Sequence, residues 1–185
     1  AERWGGRVGA VGGAAGGGVE TGDGVEPTGR SSEASCGLTD RGRTGVVELA
    51  SACGLTLVAK EFRDARVTST FGFGQLLEEA RRTGVTRIIA GIGGSATNDG
   101  GAGMGQALGF RLLDASGHDL TPGGEALARL AYIDASGVDP GWKEVSVEVA
   151  VDVSNPLIGP EGATRVYGPQ KGATSQEVLA ELDAA

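Results

Sequence analysis

The chain has 185 residues, with 16 Lys and Arg against 24 Asp and Glu and a formal net charge of -8. Such a balance repels nucleic-acid phosphates and anionic membranes unless a local basic patch reverses it, and the three lysines, Lys60, Lys143 and Lys171, stand far apart. No apolar run approaches the ~20 residues that cross a bilayer, and two cysteines with one histidine cannot assemble the usual zinc spacings. The expectation is a soluble chain that binds neither nucleic acid nor membrane. With no signal-peptide pattern at AERWGGRVGA, it is expected in the cytoplasm with Cys36 and Cys53 as free thiols. The missing initiator Met is a first hint of a fragment.

The 35 glycines crowd the start of the chain. From Ala1 to Cys36 there is little apolar periodicity and few bulky side chains, so residues 1–43 are expected to be atypical and poorly ordered. Beyond them, Thr44 to Ala50 and Leu55 to Val58 are apolar enough for short buried pieces. The segment GQLLEEARRT, Gly74 to Thr83, has helical spacing and acids before bases, with Gly84 as its stop signal. Arg87 to Ile92 is a continuous apolar strand of the parallel-sheet kind, followed by a Gly-rich loop, a small-residue helix near Gly101 to Leu108, and a strand at Phe110 to Asp114. That order predicts a βαβ unit and an α/β fold. Pro122 to Leu127 is helix-like, Val145 to Val153 alternates as a strand, and Thr174 to Leu182 opens with the capping sequence TSQE.

The loop GIGGSATNDGG, Gly91 to Gly101, concentrates the chemistry. Glycines such as Gly93 and Gly94 let backbone approach a ligand, with Gly93 a candidate for positive φ. Ser95, Thr97, Asn98 and Asp99 set hydroxyl, amide and carboxylate groups at the carboxyl end of a strand, where open α/β sheets bind ligands. A long connection in which Gly and Asn only make turns is the plain alternative. A second alternative is a dinucleotide-binding oxidoreductase, since Gly91, Gly93 and Ala96 fit G-x-G-x-x-A and Asp114 lies where a ribose-binding acid belongs. Further on, Asp152 and Asn155 follow a strand, where a carboxylate can act as base or hold Mg²⁺, although an Asx-Pro turn also explains them. Lys171 in YGPQKGAT sits among glycines as a point charge for an anion, with a solvated lysine as the plain reading. Thr68-Ser-Thr70 before Phe71 suggests helix capping, His118 an exposed turn residue without a sequence-near partner, and Cys53 core packing.

Four motifs in order, TSTFGFGQLL, GIGGSATNDGGAGMGQALG, DVSNPLIGPEGA and YGPQKGAT, resemble the bacterial glycerate kinase family. The resemblance implies a two-domain kinase, with an α/β domain inserted into a Rossmann-like one and substrates bound between them. The implied fold is α/β, with Rossmann-like or flavodoxin-like elements and an inserted second α/β domain, and residues 44–185 would be a partial kinase region, mostly that inserted domain. An N-terminal Asp-Ser-Phe-Lys loop and the C-terminal portion would be lacking. Ala1 to Cys36 does not resemble the family, for which a frame error or a truncated gene model is the working explanation.

The resemblance further implies ATP as donor, D-glycerate as acceptor and Mg²⁺ to offset phosphate charge. Asp152 and Asp99 are the candidate bases, Asp152 first. Gly93, Gly94, Ser95, Thr97, Asn98, Asn155 and Lys171 are the candidate binding residues. The metal ligands and the oligomeric state are left open, and a chain of this extent is expected to be inactive alone.

Overall fold

The computed structural model describes residues 18–185. Its main sheet has five strands in the order β1-β2-β3-β4-β7. The first two, β1 (Val19–Val25) and β2 (Ser31–Thr39), form an antiparallel hairpin from Val19↔Gly37 to Val25↔Ser31. Strand β3 (Thr44–Glu48) pairs antiparallel to β2 and parallel to β4 (Arg87–Gly91), and β4 pairs parallel to β7 (Ser146–Ala150).

Residues 18–43 are therefore not the poorly ordered stretch expected; the part of that expectation falling on residues 1–17 lies outside the described residues. The reason is visible in β2, which alternates with small side chains. Ala34 and Cys36 face the core at 5% and 1% exposure, and the sheet's backbone hydrogen bonds supply order that bulky side chains do not.

Helix α1 (Leu49–Cys53) leaves the end of β3, and α2 (Phe71–Arg82) lies across the sheet. Phe73, Leu76, Leu77 and Ala80 of α2 bury Ala34, Cys36, Val47, Ile88 and Ala90 beneath them. Gly84 adopts φ +88 just past the helix, the left-handed stop its sequence suggested.

The short helix α3 (Ala102–Ala107) crosses α2 at close range. The crossing needs glycine on both sides. A Cβ at Gly74 would run into Met104 O, and one at Gly103 would run into Ser69 Oγ.

The expected βαβ unit is not formed by the strand after α3. Strand β5 (Arg111–Leu113) leaves the main sheet and pairs antiparallel with β6 (Tyr132–Asp134) in a separate two-stranded sheet. Six residues of helix span only about 9 Å, so α3 does not carry the chain back along β4. The parallel return is made by β7 after the whole excursion. The chain closes with α4 (Ala163–Tyr167) and α5 (Gln176–Ala184), the latter capped by Ser175 Oγ, which accepts from Val178 N at 3.2 Å. Among the described residues no helix is long and apolar enough to cross a membrane.

Candidate functional site

The loop after β4 is stitched down before it reaches α3. Leu55 N donates to Gly94 O at 2.9 Å and Ala96 N to Cys53 O at 2.8 Å, while Thr68 Oγ1 donates to Ala96 O at 3.0 Å. Gly94, Gly100 and Gly101 take φ of +74, +58 and +84, which is why glycine stands there. Gly93 does not: its φ is not positive and a Cβ on it would meet nothing within 4 Å, correcting the expectation of strain at that position.

Asp99 is 1% exposed and fully engaged. Its Oδ2 accepts from Thr70 N at 2.8 Å, Thr70 Oγ1 at 2.9 Å and Gly103 N at 3.1 Å, and its Oδ1 from Gly101 N at 3.2 Å. Thr70 Oγ1 in turn accepts from Met104 N at 2.9 Å. The expected hydroxyl cap of α2 is thus shared. Ser69 Oγ accepts from Phe71 N at 3.2 Å, whereas the Thr70 side chain serves the α3 end. A carboxylate holding this many donors is a brace between two helix starts.

Lys171 reaches the same loop from the other end of the chain. Its Nζ donates to Ser95 Oγ at 2.9 Å and to Thr97 O at 2.6 Å. Burial pulls its ammonium down to about 8, with Asp99 nearby opposing that fall. The tight turn that aims it depends on Gly172, at φ +102 and seated on Arg63 O, and on Arg63 Nη1, which donates to Gln170 O at 3.3 Å. The sequence set Lys171 among the glycines of a tight loop, Gly172 included, but showed no sign of Arg63.

Ser95, Thr97, Asn98, Asp99 and Lys171 line one cleft of about 880 Å³, together with Thr70, Thr164 and Asp183. Asn98 Nδ2 donates to Thr164 Oγ1 at 3.2 Å, and Asp183 accepts from Gly159 N and Arg165 Nε. Thr164 and Asp183 carry no motif of their own, so only the packing of α4 and α5 reveals them.

Asp152, Asn155, Gly93 and Gly94 do not line this cleft. Asp152 stands exposed beyond β7. Asn155 is held by its neighbours, with Nδ2 donating to Glu161 O at 3.0 Å and Tyr167 Oη donating to Asn155 Oδ1 at 2.8 Å, which fastens the 152–161 segment to α4. Cys53 is a packing residue. Its thiol is pushed up to about 12 by burial, far from a reactive thiolate.

A family model described as the glycerate kinase family matches residues 5–185. The chain belongs to the glycerate kinase family. It is 55% identical over 157 residues to a glycerate kinase of Bacillus subtilis and 52% identical over 157 residues to a glycerate 2-kinase of Escherichia coli. Each match covers 85% of this chain and 41% of the relative. A crystal structure from Salmonella typhimurium LT2, of a protein assigned as glycerate kinase 2, superposes with a TM-score of 0.91 at 47% identity, covering 95% of this chain and 47% of that one. The chain thus spans less than half the length of these glycerate kinase relatives. The family match from residue 5 also corrects the expectation that Ala1 to Cys36 falls outside it.

The dinucleotide reading has no support. The helix after the glycines is delayed to Ala102, and β5, which ends before Asp114, lies outside the parallel sheet. Asp114 instead accepts from Ser116 N at 2.8 Å and His118 N at 3.0 Å, closing a turn. His118 is exposed as expected, yet it does have a neighbour, with Nδ1 3.7 Å from Asp114 Oδ2.

Proposed function

We propose that the full-length protein transfers the γ-phosphoryl group of ATP to D-glycerate, at the 2-hydroxyl by analogy with the name of the Escherichia coli relative. The observation carrying this reading, beside family membership, is Lys171. It is a largely buried cation whose side-chain hydrogen-bond partners are both neutral oxygens, and it opens on a cleft lined with hydroxyl and amide groups. Among the described residues no carboxylate lies within ion-pair distance of it. A buried charge without a counter-charge is costly, and an anionic ligand removes that cost. Carboxylate and phosphate are the anions this reaction supplies.

Phosphoryl transfer asks mainly for positioning and electrostatic stabilisation from protein. In this reading Lys171 holds charge on the substrate, Ser95, Thr97 and Asn98 orient it, and Gly93 and Gly94 leave room for a ligand to approach the backbone. Asp152, exposed and free to turn toward a bound hydroxyl, is the proton acceptor, and Asn155 shapes the segment carrying it. Asp99 is a positioning residue. In this reading the enzyme works in the cytoplasm, where ATP is supplied.

Mg²⁺ accompanies nucleoside triphosphates and is commonly held by one or two carboxylates together with the phosphates. Among the described residues no group of three or more His, Cys, Asp or Glu is placed to hold a metal, and both oxygens of Asp99 are engaged. The roles assigned to these residues do not run through a metal ion. The 44–185 region is read as mostly the inserted domain of the kinase.

The test is a coupled ADP-release assay on the full-length protein with Lys171→Met beside wild type, and ³¹P NMR of the product. A drop in kcat/KM of ~10² or more is expected. Unchanged turnover in Lys171→Met, or an absence of glycerate-dependent turnover in wild type, would remove the reading.

A further inference from the structure

Ser95 and Lys171 form a pair whose geometry allows more than anion binding. Thr97 O is a carbonyl and only accepts, so one Lys171 N–H is committed to it at 2.6 Å in either charge state. The other contact, 2.9 Å to Ser95 Oγ, is free to reverse. A charged ammonium donates to Oγ, whereas a neutral amine presents its lone pair and accepts the Ser95 hydroxyl proton.

The surroundings ease loss of the ammonium proton, so the neutral form becomes available as pH rises through about 8. Burial holds the Lys171 amine at about 8, and the charged groups facing it are otherwise occupied. Asp99 is braced by Thr70, Gly101 and Gly103; Arg63 donates to the carbonyls of Val58, Leu55 and Gln170; Asp183, across the cleft, is held by Gly159 N and Arg165. A hydroxyl within hydrogen-bond reach of a base that is itself oriented by a third group is the arrangement of an activated nucleophile.

We propose that Ser95 is a nucleophile with Lys171 as its general base, giving the cleft a covalent acyl- and sulfonyl-transfer activity toward small electrophiles such as activated esters and sulfonyl fluorides. The Lys171 lone pair takes the proton from Ser95 Oγ as Oγ bonds to the electrophilic sulfur or carbonyl carbon. The bond to fluoride or to the ester's alkoxide breaks, that group leaves with its electron pair, and the proton stays on Lys171 until water removes it. The step needs neither ATP nor glycerate, so its failure and the failure of the phosphotransferase reading are separate results.

The test treats the 185-residue chain with phenylmethanesulfonyl fluoride from about pH 6 to about pH 10 and follows adducts by intact-protein and peptide mass spectrometry. A single adduct is expected on Ser95, forming faster as pH rises and levelling above about 8, where the amine is free. Ser95→Ala removes it. Lys171→Met slows it tenfold or more, and Lys171→Arg does the same because a guanidinium keeps charge but supplies no free base. Circular dichroism checks that each variant folds, and if either lysine variant fails to fold, the wild-type pH profile decides. No Ser95 adduct by about pH 10, a rate that does not rise with pH, or a Ser95 adduct forming at the wild-type rate in folded Lys171→Met overturns the proposal.

Discussion

Asp99 and Thr70 are joined twice: Oδ2 of the aspartate accepts from both the backbone N–H, at 2.8 Å, and the hydroxyl, at 2.9 Å, of the threonine. Through this double contact the residue just before α2 and the loop leading to α3 are fixed to each other. The walls of the cleft inherit their spacing from it, since Ser95, Thr97 and Asn98 precede Asp99 on the same loop.

Replacing Asp99 with Asn keeps the shape but turns one acceptor into a donor facing N–H groups. With the site buried, a loss of about 1–3 kcal/mol is expected. Urea unfolding checks it, with the midpoint falling at unchanged m. A midpoint equal to wild type would mean that the brace is dispensable.

Two glycines of the motif GIGGSATNDGGAGMGQALG should divide sharply. Gly103→Ala drives a methyl into Ser69 Oγ and close to Asp99 Oδ2 at the α2–α3 crossing, and is expected to cost about 1–3 kcal/mol. Gly93→Ala enters open space at ordinary φ and should stay within about ±0.5 kcal/mol. Thermal unfolding of the two side by side measures this. A larger loss at Gly93 would contradict the open geometry there.

The contrast marks what was readable in advance. The spacing of Leu76, Leu77 and Ala80 announced α2, and the run from Arg87 to Ile92 announced β4, because both patterns come from burying one face or two. The β1–β2 hairpin was not readable, since Ala34 and Cys36 are too small to stand out among glycines. The partner of β4 was misassigned because nothing local tells Arg111–Leu113 from Ser146–Ala150 as a parallel neighbour. Of the candidate site, Ser95, Thr97, Asn98 and Lys171 were legible as chemistry. Their meeting depends on Gly172 seating against Arg63, a contact across more than a hundred residues.

Lys171 sets a pH dependence with two signs. Its folded-state value of about 8 lies below the ordinary 10.5, so between the two the unfolded chain binds more protons. Stability therefore rises with pH across that window, and the penalty is fully present below about 8. Anion binding runs the other way and weakens as pH rises through about 8. Lys171→Met should be more stable than wild type at pH ~7 while losing phosphate binding, a trade of stability for function. Denaturant melts at two pH values and phosphate titrations check both. A Lys171→Met chain that is less stable at pH ~7 would refute the burial argument.

Asp152→Asn in the full-length protein is expected to lower kcat by ~10² or more without changing the fold, the usual effect of removing a positioned proton acceptor. Because Asp152 is exposed and has no hydrogen-bond partner among the described residues, its loss should leave stability untouched. Steady-state kinetics beside circular dichroism separate the two effects. Near-normal turnover would take the base role away from Asp152.

The 185-residue chain alone is expected to show no glycerate kinase turnover. Val147 and Val149 continue the face that Ile88 and Ala90 bury, through the register Ile88↔Val147 and Ala90↔Val149, yet they are 44% and 53% exposed. Val151 and Val153 beyond them are 55% and 50% exposed, and Trp142 Nε1 is buried near this edge with no acceptor among the described residues. An apolar strand edge and an orphaned donor are what a fold shows where neighbouring structure belongs. Relatives of more than twice the matched length have chain available to supply it. Asp152 follows β7 without lining the cleft that Val147, Val149 and Lys171 share, so this chain alone does not hold the proposed base against that cleft. Displacement of about 1 Å is enough to cost ~10² in rate. The measurement is coupled ADP release by the 185-residue chain beside the full-length Bacillus subtilis relative; turnover within tenfold of that relative would show that the cleft and Asp152 suffice without the remaining fold.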